Sequence, residues 1–370
     1  MDNLTDGSGK YAEITDVFSR ILLLNTAFGR KDNFPARSRR GIAPKDYARL
    51  GERGDPSGLK FLIHPENSTK STFDIYLDSQ LSDLTRLGVQ APVDISTLPK
   101  GSWVIEFPVT LATPFLSKDD TPLYIIENPV RKDKVFAIPF ISPMAWKGIL
   151  RWTMMKAHLE PVLTDPVEFA KTRFRHTLLF GTEKGMEDIP KGWAEYLDKL
   201  CDCDDAQESY RDKLKRHEKK DEPKKDVPHL VGMLHFYPTF WDRLEMTVIN
   251  PHDRRTKTGT NPIYFERVSK NSKGFFRLIY VPLHWIGLPE RKFKENIFQD
   301  LQDVVAGLEK MMLTYGFSAK RSTGYGLAKD GWDTDASALR IKGFIRNSEK
   351  FRDFGELKTK VNKLREGVAQ

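Results

Sequence analysis

The ten residues SWVIEFPVTL, Ser102 to Leu111, mark where the main fold begins. They alternate and are rich in β-formers, as a strand with one buried face would be, and Pro108 among them points to an edge or a bulge. Downstream, Ser142 and Pro143 open a helix with a hydroxyl cap and a proline at the first helical position, and MAWKGILRWTMMK, Met144 to Lys156, carries it on. Trp146, Ile149, Leu150 and Thr153 share its inner face. Residues 230–237, 244–249 and 275–284 read as strands. Phe293, Ile297, Leu301, Val304, Val305, Leu308, Met311, Met312 and Tyr315 fall near helical spacing and give a second helix over 293–315, its apolar face core and not a cofactor box. Strand, helix, two or three strands, helix, glycine-rich loop and short strand make a split βαβ plan. The expected fold class is therefore α+β, a ferredoxin-like or RRM-like sheet with two helices on one face. In RNA-binding proteins of this arrangement the other face or adjoining loops meet RNA.

Working outward, residues 1–100 read as an N-terminal extension, with a short apolar helix candidate over 14–26 and a polar, Arg-rich stretch, FPARSRRG, from Phe34 to Gly41. The main domain spans 101–345. A charged helical or irregular insertion interrupts it at about 185–228, where KLKRHEKKDEPKKD, Lys213 to Asp226, shows too little apolar periodicity to demand a core. Residues 346–370 read as a charged tail.

The 370 residues carry 59 Lys and Arg against 51 Asp and Glu, a formal charge of +8, with 39% hydrophobic residues. That balance suits a folded protein with an anionic partner but does not name the partner. Cys201 and Cys203, the two cysteines, sit too close for an ordinary structural disulfide. The N-terminus lacks a signal-peptide pattern and no apolar run approaches a membrane span, so a reducing cytoplasmic setting is expected.

The stretch LTYGFSAKRSTGYGLAK, Leu313 to Lys329, follows the second helix directly. Its spacing matches neither a Walker A motif nor the dinucleotide fingerprint. Gly316 is placed to stop the helix in a left-handed conformation, and Gly324 and Gly326 to let backbone approach a ligand. Lys320 and Arg321 add charge and Tyr325 a stacking face. A helix stop followed by a plain turn accounts for the same glycines. Likewise Lys147 and Arg151, four apart, are either a phosphate clamp beside the Ser142-capped helix start or a solvated pair. Asp119, Asp120 and Asp133 are either metal ligands or turn carboxylates. Cys201, Cys203 and His217 lack the second pair that a zinc site needs and read as structural.

Several stretches in order resemble the RAMP proteins of type III CRISPR effector complexes, RRM-like subunits that grip guide RNA. IPFISPMAWKGILR, Ile138 to Arg151, is similar to that family's segment Ile-Pro-Gly-Ser-Ser-x-Lys-Gly-x-x-Arg, with Lys147, Gly148 and Arg151 matching and Gly-Ser-Ser altered. Leu179-Phe180-Gly181 resembles its next short signature, and Phe317 to Gly326 its glycine-rich loop, often ending Gly-Tyr-Gly. The resemblance runs from about Trp103 to Lys329. Val248 to His252, followed by Asn261 to Phe265, looks most like the subunit capping the guide-distal end of the Cmr filament. Asp253 to Gly259 resembles the Arg-x-Thr-Gly region of backbone-forming subunits.

The resemblance implies a guide-RNA (crRNA)-binding structural subunit of an antiviral RNA-targeting ribonucleoprotein. Its implied partners are crRNA, target RNA, other RAMP subunits and the large polymerase-cyclase subunit, with no cofactor for binding. The implied RNA-binding residues are Ser142, Lys147, Arg151, His252, Arg254, Arg255, Gly316, Lys320, Arg321, Gly324, Tyr325 and Gly326. Backbone subunits cut target RNA with an aspartate in the loop after the first strand; the residue at that position here is Glu127, with Asp120 a second candidate. The extra methylene displaces the carboxylate, and an error of about 1 Å in a reacting geometry costs roughly a hundredfold, so weak or absent cutting is expected. The alternatives are a metal-dependent endoribonuclease using a divalent ion such as Mg near Glu127, and a protein that mainly holds other subunits together.

Overall fold

The computed structural model describes residues 72–118, 128, 130–186, 189–218, 229–249, 255 and 263–369. The helix candidate over 14–26 and the Arg-rich stretch 34–41 lie outside them. Helix α1 (Thr72–Arg86) leads into β1 (Trp103–Thr110), a short β2 (Phe140–Ile141) and helix α2 (Pro143–Met154). Helices α3 (Pro166–Phe180), α4 (Gly192–Cys201) and α5 (Asp204–Glu218) follow. Strands β3 (Leu234–Phe236), β4 (Thr239–Phe240), β5 (Glu245–Ile249), β6 (Ile263–Arg267) and β7 (Lys273–Tyr280) precede helix α6 (Glu290–Lys310), β8 (Ala338–Ile341) and helix α7 (Phe354–Ala369).

The central sheet has the order β3-β7-β1-β8 with every neighbour antiparallel. Counting only its members, this is the second strand beside the third, the third beside the first and the first beside the fourth, the arrangement of the ferredoxin-like split βαβ plan. Trp103 pairs with Tyr280 on one side and Ile341 on the other, and its ring stacks on Tyr280 with centroids 4.8 Å apart. Trp103, Ile105, Phe107 and Val109 point into the core, as a two-residue period requires. Pro108 lies beyond the four residues that β8 reaches, where β1 is an edge on that side, which is where a missing N–H is tolerated.

Helices α2 and α6 cover the inner face. Ser142 caps α2, its hydroxyl accepting from the Ala145 N–H at 3.3 Å, with Pro143 at the first helical position. Trp146, Leu150, Thr153 and Met154 are buried on its inward side. The Trp146 indole N–H donates to the Thr239 hydroxyl at 3.0 Å, tying the helix to β4. Along α6, Phe293, Ile297, Leu301, Val304, Val305 and Leu308 form the buried stripe.

Two charged peripheral segments pack against the rest of the chain. Within the charged C-terminal stretch, Phe354, Leu357 and Val361 of α7 are buried in the main core, and Lys358 pairs with Glu309 on α6 at 2.8 Å. The described part of the insertion is helical and packed. Ala206, Tyr210 and Leu214, spaced by four, form one buried face of α5, and the Tyr210 hydroxyl shares a 2.8 Å hydrogen bond with Thr177 on α3. Beneath them Arg173 is fully buried between Glu183 at 2.7 Å and Asp198 at 2.6 Å. Burial opposes the guanidinium charge, and the two carboxylates outweigh it, raising its pKa further. From the extension, Tyr76, Leu77 and Leu84 of α1 also enter the main core.

Candidate nucleic-acid interface

Three segments converge beyond the end of β1. Leu111 bridges to Ala328 and Phe115 to Val268. The Ala319 N–H donates to the Leu116 carbonyl at 2.9 Å, the Leu116 N–H to the Ser318 hydroxyl at 2.7 Å and the Gly326 N–H to the Pro114 carbonyl at 2.8 Å. The loop after β1, the base of the β5–β6 hairpin and the glycine-rich loop are therefore one backbone-bonded unit. Such a unit holds exposed groups in fixed positions without a helix or strand of its own.

Helix α6 widens into a π-turn over Met311–Tyr315 and stops at Gly316, whose φ of 74° and ψ of 163° are extended with positive φ, not the left-handed helical stop expected. A Cβ on Gly316 would lie 3.0 Å from the Tyr325 carbonyl oxygen, and one on Gly326 only 2.3 Å from the Ser318 Cβ. These two glycines let the limbs of the loop meet, and the Phe317 N–H donates to the Gly326 carbonyl between them at 2.9 Å. Gly324 differs: it is left-handed, with φ 83° and ψ 15°, and open space surrounds its Cβ position. Of the three, Gly324 is the one open to approach from outside.

Lys320 and Arg321 leave the loop in opposite directions. Lys320, exposed and left-handed at φ 56°, carries its ammonium 5.4 Å from the Phe265 ring on β6. Arg321 lays its guanidinium over the Trp152 ring of α2 at 4.2 Å, and Trp152 meets Tyr315 edge-on at 5.3 Å. Tyr325 is half-buried and packs against the core, its hydroxyl accepting from Arg267 at 3.4 Å.

On α2, Lys147 and Trp152 lie about 140° apart around the axis, so the Lys147–Arg151 flank and the Arg321 clasp are on different sides of the helix. Between them Gly148 is exposed, with nothing near its Cβ position. Burial, then the neighbouring Arg151, pushes the Lys147 pKa down, and burial followed by Lys147 does the same to His235 on β3. Arg151 is engaged by its own chain: it donates to the Gly181 carbonyl at 3.3 Å. Arg255 is exposed. Glu127, Asp119, Asp120, His252 and Arg254 lie outside the described residues. Asp133 accepts from the Val135 and Phe136 N–H groups at 2.9 and 3.0 Å, the work of a turn carboxylate.

The outer face of the sheet is covered, which the sequence did not signal. Arg277 donates to the Val89 and Gln90 carbonyls, and the Val93 N–H donates to Glu106 at 3.3 Å, so residues 89–93 strap across it. Glu106, almost fully buried, also pairs with Arg277 at 3.0 Å and with Arg340. Among the described residues, the sheet therefore leaves no open aromatic outer face of the kind that RNA-binding proteins of this arrangement use.

Among the described residues, no group of three or more His, Cys, Asp and Glu side chains is arranged to hold a metal ion, and no helix is long and apolar enough to cross a membrane. His217 bonds to His284 at 3.1 Å, and the Cys201 thiol donates to the Leu163 carbonyl at 3.8 Å.

No curated protein matches the chain. Among solved structures, it is similar to a chain of the type III-B Cmr-beta complex bound to cognate target RNA, at 14% identity over 93% of this chain and 94% of that one, with a TM-score of 0.37. It is also similar to a chain of the Csm3-Csm4 subcomplex of the type III-A CRISPR-Cas interference complex, at 15% identity over 71% and 96%, with a TM-score of 0.34. The RAMP superfamily model matches residues 103–329, from the first core strand through the glycine-rich loop, and the chain belongs to the RAMP superfamily.

Proposed function

We propose that the protein is a guide-RNA-binding structural subunit of a type III CRISPR RNA-targeting ribonucleoprotein. In this reading it grips RNA backbone at the loop junction and packs against other RAMP subunits, target RNA and the large polymerase-cyclase subunit. One observation carries it: in a RAMP chain of net charge +8, the exposed turn bearing Lys320 and the open Gly324 is pinned by backbone hydrogen bonds to the loop after β1, which is bonded in turn to the base of the β5–β6 hairpin. Lys147 beside exposed Gly148 offers a second contact along α2. Contacts to phosphate position a strand without reading its sequence, and each contributes to the salt dependence of binding.

The test is fluorescence anisotropy of labelled guide RNA across a range of NaCl concentrations. Changing Lys147 and Lys320 together to Ala lowers the salt slope by about two and weakens all sequences alike. An unaltered slope counts against these contacts. Crosslinking of the native complex then places the chain along the guide.

A further inference from the structure

The clasp of Arg321 on Trp152 is one end of a longer run of rings and cations. Trp152 sits on the rim of a second, smaller core, in which Met155 and Leu159 of the turn after α2, Phe169 of α3 and Leu197 of α4 are buried. Trp193 of α4 packs against the same core. One turn along, Tyr196 stacks on Trp193 with ring centroids 5.4 Å apart and planes 22° from parallel. Lys156 stands between the two ends. Its ammonium lies 5.8 Å from the centre of the Trp152 ring. The bond to Glu160 does most to raise its pKa, and the Tyr196 and Tyr315 hydroxyls both add to that rise, so both tyrosines are its neighbours. Arg321, Trp152, Tyr315, Lys156, Tyr196 and Trp193 therefore form one strip, from the glycine-rich loop to the first helix of the insertion.

Two features separate this strip from an ordinary core rim. Tyr196 is 41% exposed, and among the described residues it is the one Phe, Tyr or Trp side chain that is exposed and not buried or half-buried. Arg321 has its charge over a ring and no carboxylate partner among the described residues. Rings interleaved with cations suit a single strand: a base lays its π-face on a ring or a guanidinium plane while its phosphates pass the charges. A duplex gains nothing from the rings, because its bases already stack on one another. The strip also continues from the turn that bears Lys320 and Gly324, in a chain of net charge +8, which favours an anionic strand over a protein as its occupant. We propose that this strip carries a single-stranded stretch of bound RNA from the glycine-rich loop towards α4, with one base stacked on Tyr196. The proposal rests on the RNA-binding reading above and adds a path for the strand and a contact that does not depend on charge.

The test uses the full chain and measures anisotropy of one labelled guide RNA in two forms, single-stranded and annealed to its complement. Tyr196→Ala is expected to weaken binding of the single strand about tenfold, the effect of losing one base–aromatic stack, and to leave the duplex unchanged. The salt slope of single-strand binding is expected to stay at the parent value, because a tyrosine neutralises no phosphate. Tyr196→Phe keeps the ring and is expected to keep the parent affinity. Single-strand affinity unchanged by Tyr196→Ala, or a loss shared equally by both forms of RNA, overturns the stacking proposal. Either result leaves the RNA-binding reading to the salt slope of the Lys147 and Lys320 double variant. Loss of assembly with other RAMP subunits in Tyr196→Ala, at unchanged RNA affinity, overturns it in favour of a protein interface. A parent protein that binds neither form of the RNA overturns both readings.

Discussion

Arg321 holds its guanidinium carbon 4.2 Å from the centre of the Trp152 ring, so the glycine-rich loop is clasped to the first core helix from one side while Lys320 reaches across to Phe265 on the other. A cation over an indole face contributes about 0.5–2 kcal/mol depending on desolvation. Trp152→Ala removes that clasp. Trypsin, which cuts after Lys320 and Arg321, is then expected to open the loop several-fold faster than in the parent, because cleavage follows the population of the open form. Trp152→Phe keeps a π-face and should recover most of the resistance. Equal cleavage rates in all three proteins would mean that the stack does not hold the loop.

The glycines of that loop are not equivalent. Gly326→Ala puts a Cβ 2.3 Å from the Ser318 Cβ at a φ of 75°, combining backbone strain with a clash that neither limb can relieve without breaking the Phe317 to Gly326 hydrogen bond. Gly324→Ala meets open space and carries the left-handed penalty alone. In urea unfolding, Gly324→Ala is expected to cost about 1–2 kcal/mol and Gly326→Ala clearly more. Equal losses would sink this division of roles.

The same residues show where the sequence was readable and where it was not. The alternation over 103–110, the capped helix at Ser142 and the stripe along 293–308 each follow one periodicity, and each element stands where that periodicity puts it. The family match, 103–329, covers the stretch that the motifs delimit. The loop's glycines were visible, but not what each one faces: Gly326 faces Ser318, eight residues earlier, and Gly324 faces solvent, a difference set by how the loop folds back on itself. Helix α5 was obscured because its buried face is only Ala206, Tyr210 and Leu214 amid charge, and its support is an ion-paired arginine on another helix. The strap over 89–93 leaves no pattern, since it is held through its main chain.

Arg173 supplies the strongest test of the insertion. Arg173→Met strands Glu183 and Asp198 in the interior without their cation, and breaking a buried pair this way costs about 3–5 kcal/mol. Glu183→Gln leaves the guanidinium with Asp198 and is expected to cost less. Denaturant midpoints measure both. Equal, small effects would show that the cluster does not anchor α4 and α5.

Acid should loosen the protein before it affects the carboxylates of the surface. Burial depresses the pKa of His158, His176, His235 and His284, most strongly for His176, which sits 3.4 Å from His158. His284 has its Nε2 on the Val231 carbonyl at 2.8 Å, which requires a proton there and leaves Nδ1 as the acceptor for His217. For each depressed histidine the unfolded chain binds the proton first. The stability it contributes is therefore complete above the unfolded value near 6.5 and is lost as pH falls below it towards the folded value. Thermal midpoints are expected to drop between about pH 7 and pH 5, and His176→Gln is expected to flatten that slope, lowering the midpoint more at pH 8 than at pH 5.5, because only the parent loses stability as His176 takes up a proton. A slope identical in the parent and in His176→Gln would exclude His176 as the group that titrates.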